Sequence, residues 1–200
     1  MITRLQQLLF ALLLVACVVM SAILIRMRDR AQDRMTAAPP AALLPQPPNA
    51  PETSVTFMMP NDMTGALDPI EKSLALPSDP TGRAHEQLNQ LIASWRAPGS
   101  LHPVDASAGV DSVFLMPVPG DPSQQIAVVN FNAAFPLAQP SGIEPETLTL
   151  LSIIQTLHAN LPSIAQVRFL VDGQTRATLA GHADLLRTYL ADTTAPQPQS

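Results

Sequence analysis

Residues Val167 to Leu190 read VRFLVDGQTRATLAGHADLLRTYL. Two short strands, Gln166 to Val171 and Gln174 to Ala180, are expected to flank Asp172-Gly173. That dipeptide is a two-residue hairpin signal, because glycine accepts positive φ without steric cost. A Gly181-His182 step follows the hairpin.

Upstream lies a helix. Leu148, Leu150, Leu151, Ile153, Ile154, Leu157 and Leu161 cover more than one helical stripe, which implies heavy packing against a sheet. Pro145 suits its first turn, while Ser141 and Glu144 also satisfy an S-x-x-E capping box, so two starts are open. Pro162 ends it. Before it come two strands: Val110, Ser112, Phe114 and Met116 belong to one, and Ile126, Val128 and Phe131 to the other. The turn between them is Pro119-Gly120-Asp121-Pro122.

An earlier helix begins where Asp79 can act as N-cap and Pro80 as the first helical residue. Ala84, Leu88, Leu91, Ile92 and Trp95 recur along it at core spacing until Ala97-Pro98-Gly99 stops it. Thr53 to Met59 reads as a strand with Val55 and Phe57 on one face, and Pro60-Asn61-Asp62 ends it. A short strand spans Ile70 to Leu76. The order predicts an α+β domain in which two helices cover one face of a mixed or antiparallel sheet.

Val128-Val129-Asn130-Phe131, the helix Pro145 to Asn160, the run Val167 to Gly173, and Gly181-His182 together resemble the GerMN domain family. The resemblance spans Thr53 to Leu190. Relatives commonly carry Asp where this chain has Asn130 and Ser where it has Asn132. GerMN domains take their name from sporulation and germination lipoproteins and are similar to the ring-building motif of membrane-associated assemblies. The resemblance implies an extracytoplasmic assembly or protein-interaction module, and does not imply that the source makes spores.

The chain's other marked feature is Leu8 to Ile25, LLFALLLVACVVMSAILI, a run without charge. As a helix it would extend about 27 Å, close to the roughly 30 Å hydrocarbon thickness. Arg26 and Arg28 follow directly and no A-x-A-like exit is present, so an uncleaved anchor is expected. Leu14-Val15-Ala16-Cys17 resembles a lipobox, which keeps lipidation at Cys17 open, although Val18 to Ile25 stays apolar where a mature lipoprotein turns polar. Orientation divides two arguments. Arg26, Arg28, Arg30 and Arg34 outnumber Arg4, which by the positive-inside rule favours a cytoplasmic C-terminal side. The family resemblance favours export, and a periplasmic or otherwise extracytoplasmic domain is the expectation.

The organisation expected is a short segment at residues 1–7, an anchor at 8–25, a juxtamembrane and proline-rich linker at 26–52, the GerMN-like domain at 53–191 and a disordered tail at 192–200. The linker holds Pro39, Pro40, Pro45, Pro47, Pro48 and Pro51, which favour an extended polyproline conformation. With 21 prolines, a single lysine (Lys72) and a formal charge of −5 that turns more acidic once the N-terminal arginines are set aside, a nucleic-acid surface is not expected. Partners are instead the membrane, through residues 8–25, and a protein or a second copy of the chain.

No catalytic, cofactor-binding or metal-ligating residue is assigned. His85, His102, His158 and His182 share no helix and no metal-ligand spacing. There is no G-x-S-x-G, P-loop or G-x-G-x-x-G, and the sole cysteine lies in the apolar run. Asp105, Asp111 and Asp121 flank turns and in principle make an acid-base or calcium site with Glu144 and Glu146; solvated loop acids are the commoner explanation. A tethered small-ligand sensor is the alternative function, and convergence of His102, Asp105 or Arg168 on a cavity would favour it.

Overall fold

The computed structural model describes Met20 and residues 52–192. The expected anchor at 8–25 (Met20 apart), the linker up to residue 51, and the tail from residue 193 lie outside the described residues. Among the described residues, no helix is long and apolar enough to cross a membrane.

The first hairpin pairs β1 (Glu52–Asn61) with β2 (Ala66–Ala75), antiparallel over their whole lengths. Val55 and Phe57 are fully buried on the shared face expected of them. β2 starts earlier than the expected Ile70, because Asn61 builds a tight connection. Its Oδ1 accepts from Met63 N and its carbonyl accepts from Gly65 N at 2.9 Å. Gly65 has φ of +67°, and a Cβ there would stand 2.2 Å from Glu144 Oε1. The positive φ favours glycine, and the exposed Glu144 side chain would have to swing aside for any Cβ.

Helix α1 (Pro80–Trp95) starts as its sequence predicts, with Asp79 accepting from Gly82 N at 2.6 Å. Ala84, Leu88, Leu91, Ile92 and Trp95 are all buried. β3 (Val110–Val118) and β4 (Asp121–Phe131) form the expected antiparallel pair. Their faces differ from the simple alternation, however. An irregularity between Val110 and Ser112 adds a residue to β3 and shifts its side chains to the opposite faces. Val113 therefore joins Ala127, Val129 and Phe131 in the core, whereas Phe114 and Met116 point outward at 53% and 45% exposure.

A one-turn helix, α2 (Phe135–Ala138), has no counterpart in the sequence expectation. Asn132 builds it, accepting from Phe135 N through Oδ1 and donating Nδ2 to Ser107 O. Helix α3 (Ile143–Asn160) then begins two residues before Pro145, with Gly142 as N-cap at φ +141° and no side-chain cap, so the S-x-x-E box does not form. Pro145 sits in the first turn, where its missing N–H removes no helical hydrogen bond.

β5 (Ile164–Val171) returns parallel to β4, the long crossover through α3 making that direction possible. The expected single sheet is in fact two: β1-β2, and a mixed sheet in the order β3-β4-β5-β6, with β6 limited to Tyr189–Leu190. The Asp172-Gly173 turn forms, with φ of 52° and 70° and Val171 and Gln174 exchanging both backbone hydrogen bonds at 2.9 Å. Its second arm does not. Gln174 makes one bridge to Val171, and the expected strand to Ala180 is irregular chain. That segment is drawn down to α3, burying Leu179 and Leu185, and only Tyr189–Leu190 comes back to β5.

The core lies between one face of the mixed sheet and the helices. Phe135 stacks on Phe131 at 4.0 Å between ring centroids, Phe131 on Phe169 at 5.5 Å, and Tyr189 closes the row edge-on to Phe169. At the free edge of β1, α3 does the work of a neighbouring strand. Asn160 Oδ1 accepts from Thr56 N at 2.9 Å and its Nδ2 donates to Thr56 O at 2.8 Å. Met58 N donates to Thr156 Oγ1 at 3.0 Å, and Ser152 Oγ donates to Met58 O. Spacing of four residues puts Ser152, Thr156 and Asn160 on one helical face, which meets alternate residues of the strand. Asn160→Leu should lower unfolding free energy by about 1–3 kcal/mol, since it strands two part-buried backbone groups of Thr56. Urea denaturation monitored by circular dichroism measures this.

Candidate functional site

The polar chemistry of the domain gathers at the first two turns of α3. Glu146 is fully buried there. Its register with Leu150, Ile153 and Leu157 sets it on the apolar stripe, pointing into the protein. Oε2 accepts from the backbone N–H of Ala180, His182 and Ala183 at 3.0, 2.9 and 2.9 Å. Oε1 accepts from His182 Nδ1 at 2.8 Å and from Gly142 N at 3.2 Å. One carboxylate thus ties the chain after the Asp-Gly turn to the start of the helix. Burial pushes the Glu146 carboxyl up, but the His182 side chain and the backbone donors of Ala183, Ala180 and His182 more than reverse this and hold it at about 2.

One turn further on, Thr149 Oγ1 lies 2.9 Å from His102 Nε2, and His102 Nδ1 lies 2.7 Å from Asp62 Oδ1. Trp95 packs edge-on against the His102 ring at 5.3 Å. Burial pulls the His102 pKa down against the opposing effect of Asp62, which favours a neutral ring whose proton sits on Nδ1, facing the carboxylate. Nε2 then accepts the Thr149 hydroxyl proton. The Gln139 amide is also 2.9 Å from that hydroxyl, and its nitrogen has no other hydrogen-bond partner. Turning the amide lets Nε2 donate to the Thr149 oxygen and moves the amide oxygen to the position without a partner, while Pro145 O, also 2.9 Å from Thr149 Oγ1, is a second acceptor for the hydroxyl.

Asp62, His102 and Thr149 have the connectivity of an acid-base-hydroxyl triad. Their placement removes that chemistry in this conformation. His102 and Thr149 are both at 0% exposure, so no substrate carbonyl reaches the hydroxyl. The three join the β1–β2 connection, the loop after α1 and helix α3.

The other residues singled out from the sequence are held apart. His85 Nε2 bonds Val110 O at 3.1 Å, and His158 Nδ1 bonds Ile164 O at 2.8 Å. Asp105 and Asp121 each accept from the backbone N–H and the hydroxyl of the serine two residues on, Ser107 and Ser123. Asp111 is exposed, with its carboxyl pushed up by partial burial and by Asp172. Arg168 is exposed on the outer sheet face, whereas His102 is buried, so the convergence that a ligand sensor would need is not made. Among the described residues, no group of three or more His, Cys, Asp or Glu side chains could hold a metal ion. Sequence reasoning missed the roles of Glu146 and Thr149, although an acidic residue in phase with an apolar stripe was the available signal.

Acid should weaken the fold in two stages. His102 is held below its ordinary pKa of 6.5, so its contribution is complete above that pH and declines as the unfolded chain begins to bind a proton that the folded chain resists. Glu146 contributes fully above 4.5, and that contribution falls away towards pH 2, a difference of roughly 3 kcal/mol. Glu146→Gln should flatten the lower stage and His102→Phe the upper one in urea titrations between pH 2 and 8.

Comparison with known proteins agrees with this architecture. A family model described as Germane, sporulation and spore germination, matches residues 56–177. The first GerMN domain of the sporulation protein GerM from Bacillus subtilis superposes with a TM-score of 0.50 at 16% identity, covering 71% of this chain and 99% of that one. The tandem GerMN domains of the same protein match at a TM-score of 0.45 and 16% identity, covering 68% of this chain and 45% of theirs. A Clostridium perfringens protein described as a lipoprotein matches at 0.40 and 23% identity, covering 70% of this chain and 87% of its own. No curated protein matches. With the family model covering more than half of its length, the chain belongs to the Germane family and carries a GerMN domain.

Proposed function

We propose that the chain is a membrane-anchored, extracytoplasmic module that assembles with itself or with another protein and performs no catalysis. The observation that carries this reading is how the reactive side chains are used. Glu146, His102 and Thr149 are consumed in joining α3 to the loops around it, while large apolar side chains such as Leu137 (90% exposed), Met63 (84%) and Ile143 (74%) remain on the surface. Buried polar groups of this kind define a shape, and exposed apolar groups give that shape something to bind with. The apolar run at 8–25 supplies the anchor, and the proline-rich stretch after it supplies reach, at most about 3.1 Å per residue. Family membership supports an exported location.

Sidedness is tested with Cys17→Ser and Pro119→Cys, which puts the sole thiol in the exposed β3–β4 turn. A membrane-impermeant maleimide should label it in intact spheroplasts. Protection until lysis, with full labelling afterwards, would place the domain in the cytoplasm and overturn the extracytoplasmic reading.

A further inference from the structure

The loops beside α2 combine exposed apolar side chains with an excess of carboxylates. Asp62 N donates to Leu101 O at 3.2 Å, Asp105 N donates to Ala138 O at 2.6 Å, and Glu144 lies against Gly65. Beneath these ties run the Asp62, His102, Thr149 and Gln139 contacts. Together they join the β1–β2 connection, the chain after α1, the short helix α2 and the start of α3. Met63, Leu101, Leu137 and Ile143 each stand beside one of the joined residues, so they share one surface, at 84%, 50%, 90% and 74% exposure.

The charge around them is one-sided. Asp62 keeps 25% of its side chain exposed, Asn61 Nδ2 donates to Asp68 Oδ2 at 3.1 Å, and Asp68, Asp105 and Glu144 are exposed. Where β4 leads towards α2, Asp172 N donates to Phe131 O, and Asp172 lies near enough to push the Asp111 carboxyl up, which adds two more acids on this side. The opposing cation is Arg96, within electrostatic reach of Asp105 while its guanidinium donates to Ala108 O. Other basic groups are taken up elsewhere: Lys72 by Ser94 Oγ and the Phe57 ring, Arg176 by Thr178 O, and the His182 ring by Glu146. The ion pairs among the described residues, His102–Asp62 and His182–Glu146, leave Asp68, Asp105 and Glu144 without an ion-pair partner.

We propose that this surface docks a basic amphipathic segment of a different protein. Leucine- or methionine-sized side chains of that segment cover Met63, Leu101, Leu137 and Ile143, and its lysines or arginines meet Asp68, Asp105 and Glu144. Burial of apolar area supplies the attraction, and the carboxylates select the sign of the partner. Anionic lipid would meet like charge here, and so would the same surface on a second copy. The proposal rests on the assembly reading above and names the chemistry of the partner.

The probe is a short amphipathic helical peptide of leucine and lysine with one central benzophenone, and its counterpart carries glutamate in place of lysine. Each is added to the full-length chain in phosphatidylcholine nanodiscs, with empty nanodiscs as the blank. The lysine peptide should bind about tenfold more tightly than the glutamate peptide, and irradiation should place its adducts on Met63, Leu101, Leu137 or Ile143. Asp68→Lys with Glu144→Lys should weaken binding about tenfold, and Leu137→Ser with Ile143→Ser by a similar factor. Glu52→Lys with Asp121→Lys alters the net charge equally, at the end of β1 away from Asn61 and the end of β4 away from Phe131, and should leave affinity within about twofold. Circular dichroism checks that every variant folds. Equal binding of the two peptides, or equal loss from the two lysine pairs, overturns the proposal. Adducts elsewhere on the domain reject this surface and leave a protein-binding module standing. Where neither peptide binds, the basic partner is rejected, and the particle mass separates the two levels: an oligomer leaves self-assembly standing, and a monomer removes that support as well.

Discussion

The Glu146 carboxylate is the point on which the arrangement depends. Five N–H groups converge on its two oxygens, one from the helix start, three from the backbone after the Asp-Gly turn and one from the His182 ring. A buried carboxylate with fewer donors would be driven towards neutrality by desolvation. With all of them it stays ionised and holds residues 180–183 against α3. That loop is why the second arm of the terminal hairpin is missing: Gln174 to Ala180 cannot both continue a ladder with β5 and reach the helix.

Helix α3 therefore serves three neighbours with three sets of side chains. Its apolar stripe meets the core, Glu146 and Thr149 hold loops at its N-terminal end, and Ser152, Thr156 and Asn160 satisfy the edge of β1. The last set explains how a two-stranded sheet that does not pair with the main sheet is kept in place. An isolated hairpin is marginal in water, and this one borrows its third neighbour from a helix. The same economy appears at Asn130 and Asn132. Asn130 Oδ1 accepts from Gly173 N at 2.7 Å and Asn132 Oδ1 from Phe135 N at 2.9 Å. The acceptors are what the turn and the short helix require.

Much of the architecture was legible because it follows from local rules. The Asp79-Pro80 helix start, the α1 stripe and the Asp-Gly turn depend on residues close in sequence, and each lies where the local signal puts it. The outward turn of Phe114 and Met116 was not legible, since one added residue at the start of β3 inverts every later position and leaves no compositional mark. The candidate site was less readable still. His102 and Thr149 are 47 residues apart, and Asp62 a further 40 before His102, so nothing in their spacing announces a shared network.

By itself the sequence determined the two long helices and their buried stripes, most of the strands, the α+β class and the family, because periodicity, caps and turn residues act over a few positions along the chain. Tertiary structure alone decided the division into two sheets, the register of β3, the fate of the chain after Gly173 and the use of each polar side chain. Those outcomes depend on which distant groups must share a buried space. An unpaired N–H or carboxylate there costs enough free energy to override the preference of a short segment for its nearest local form.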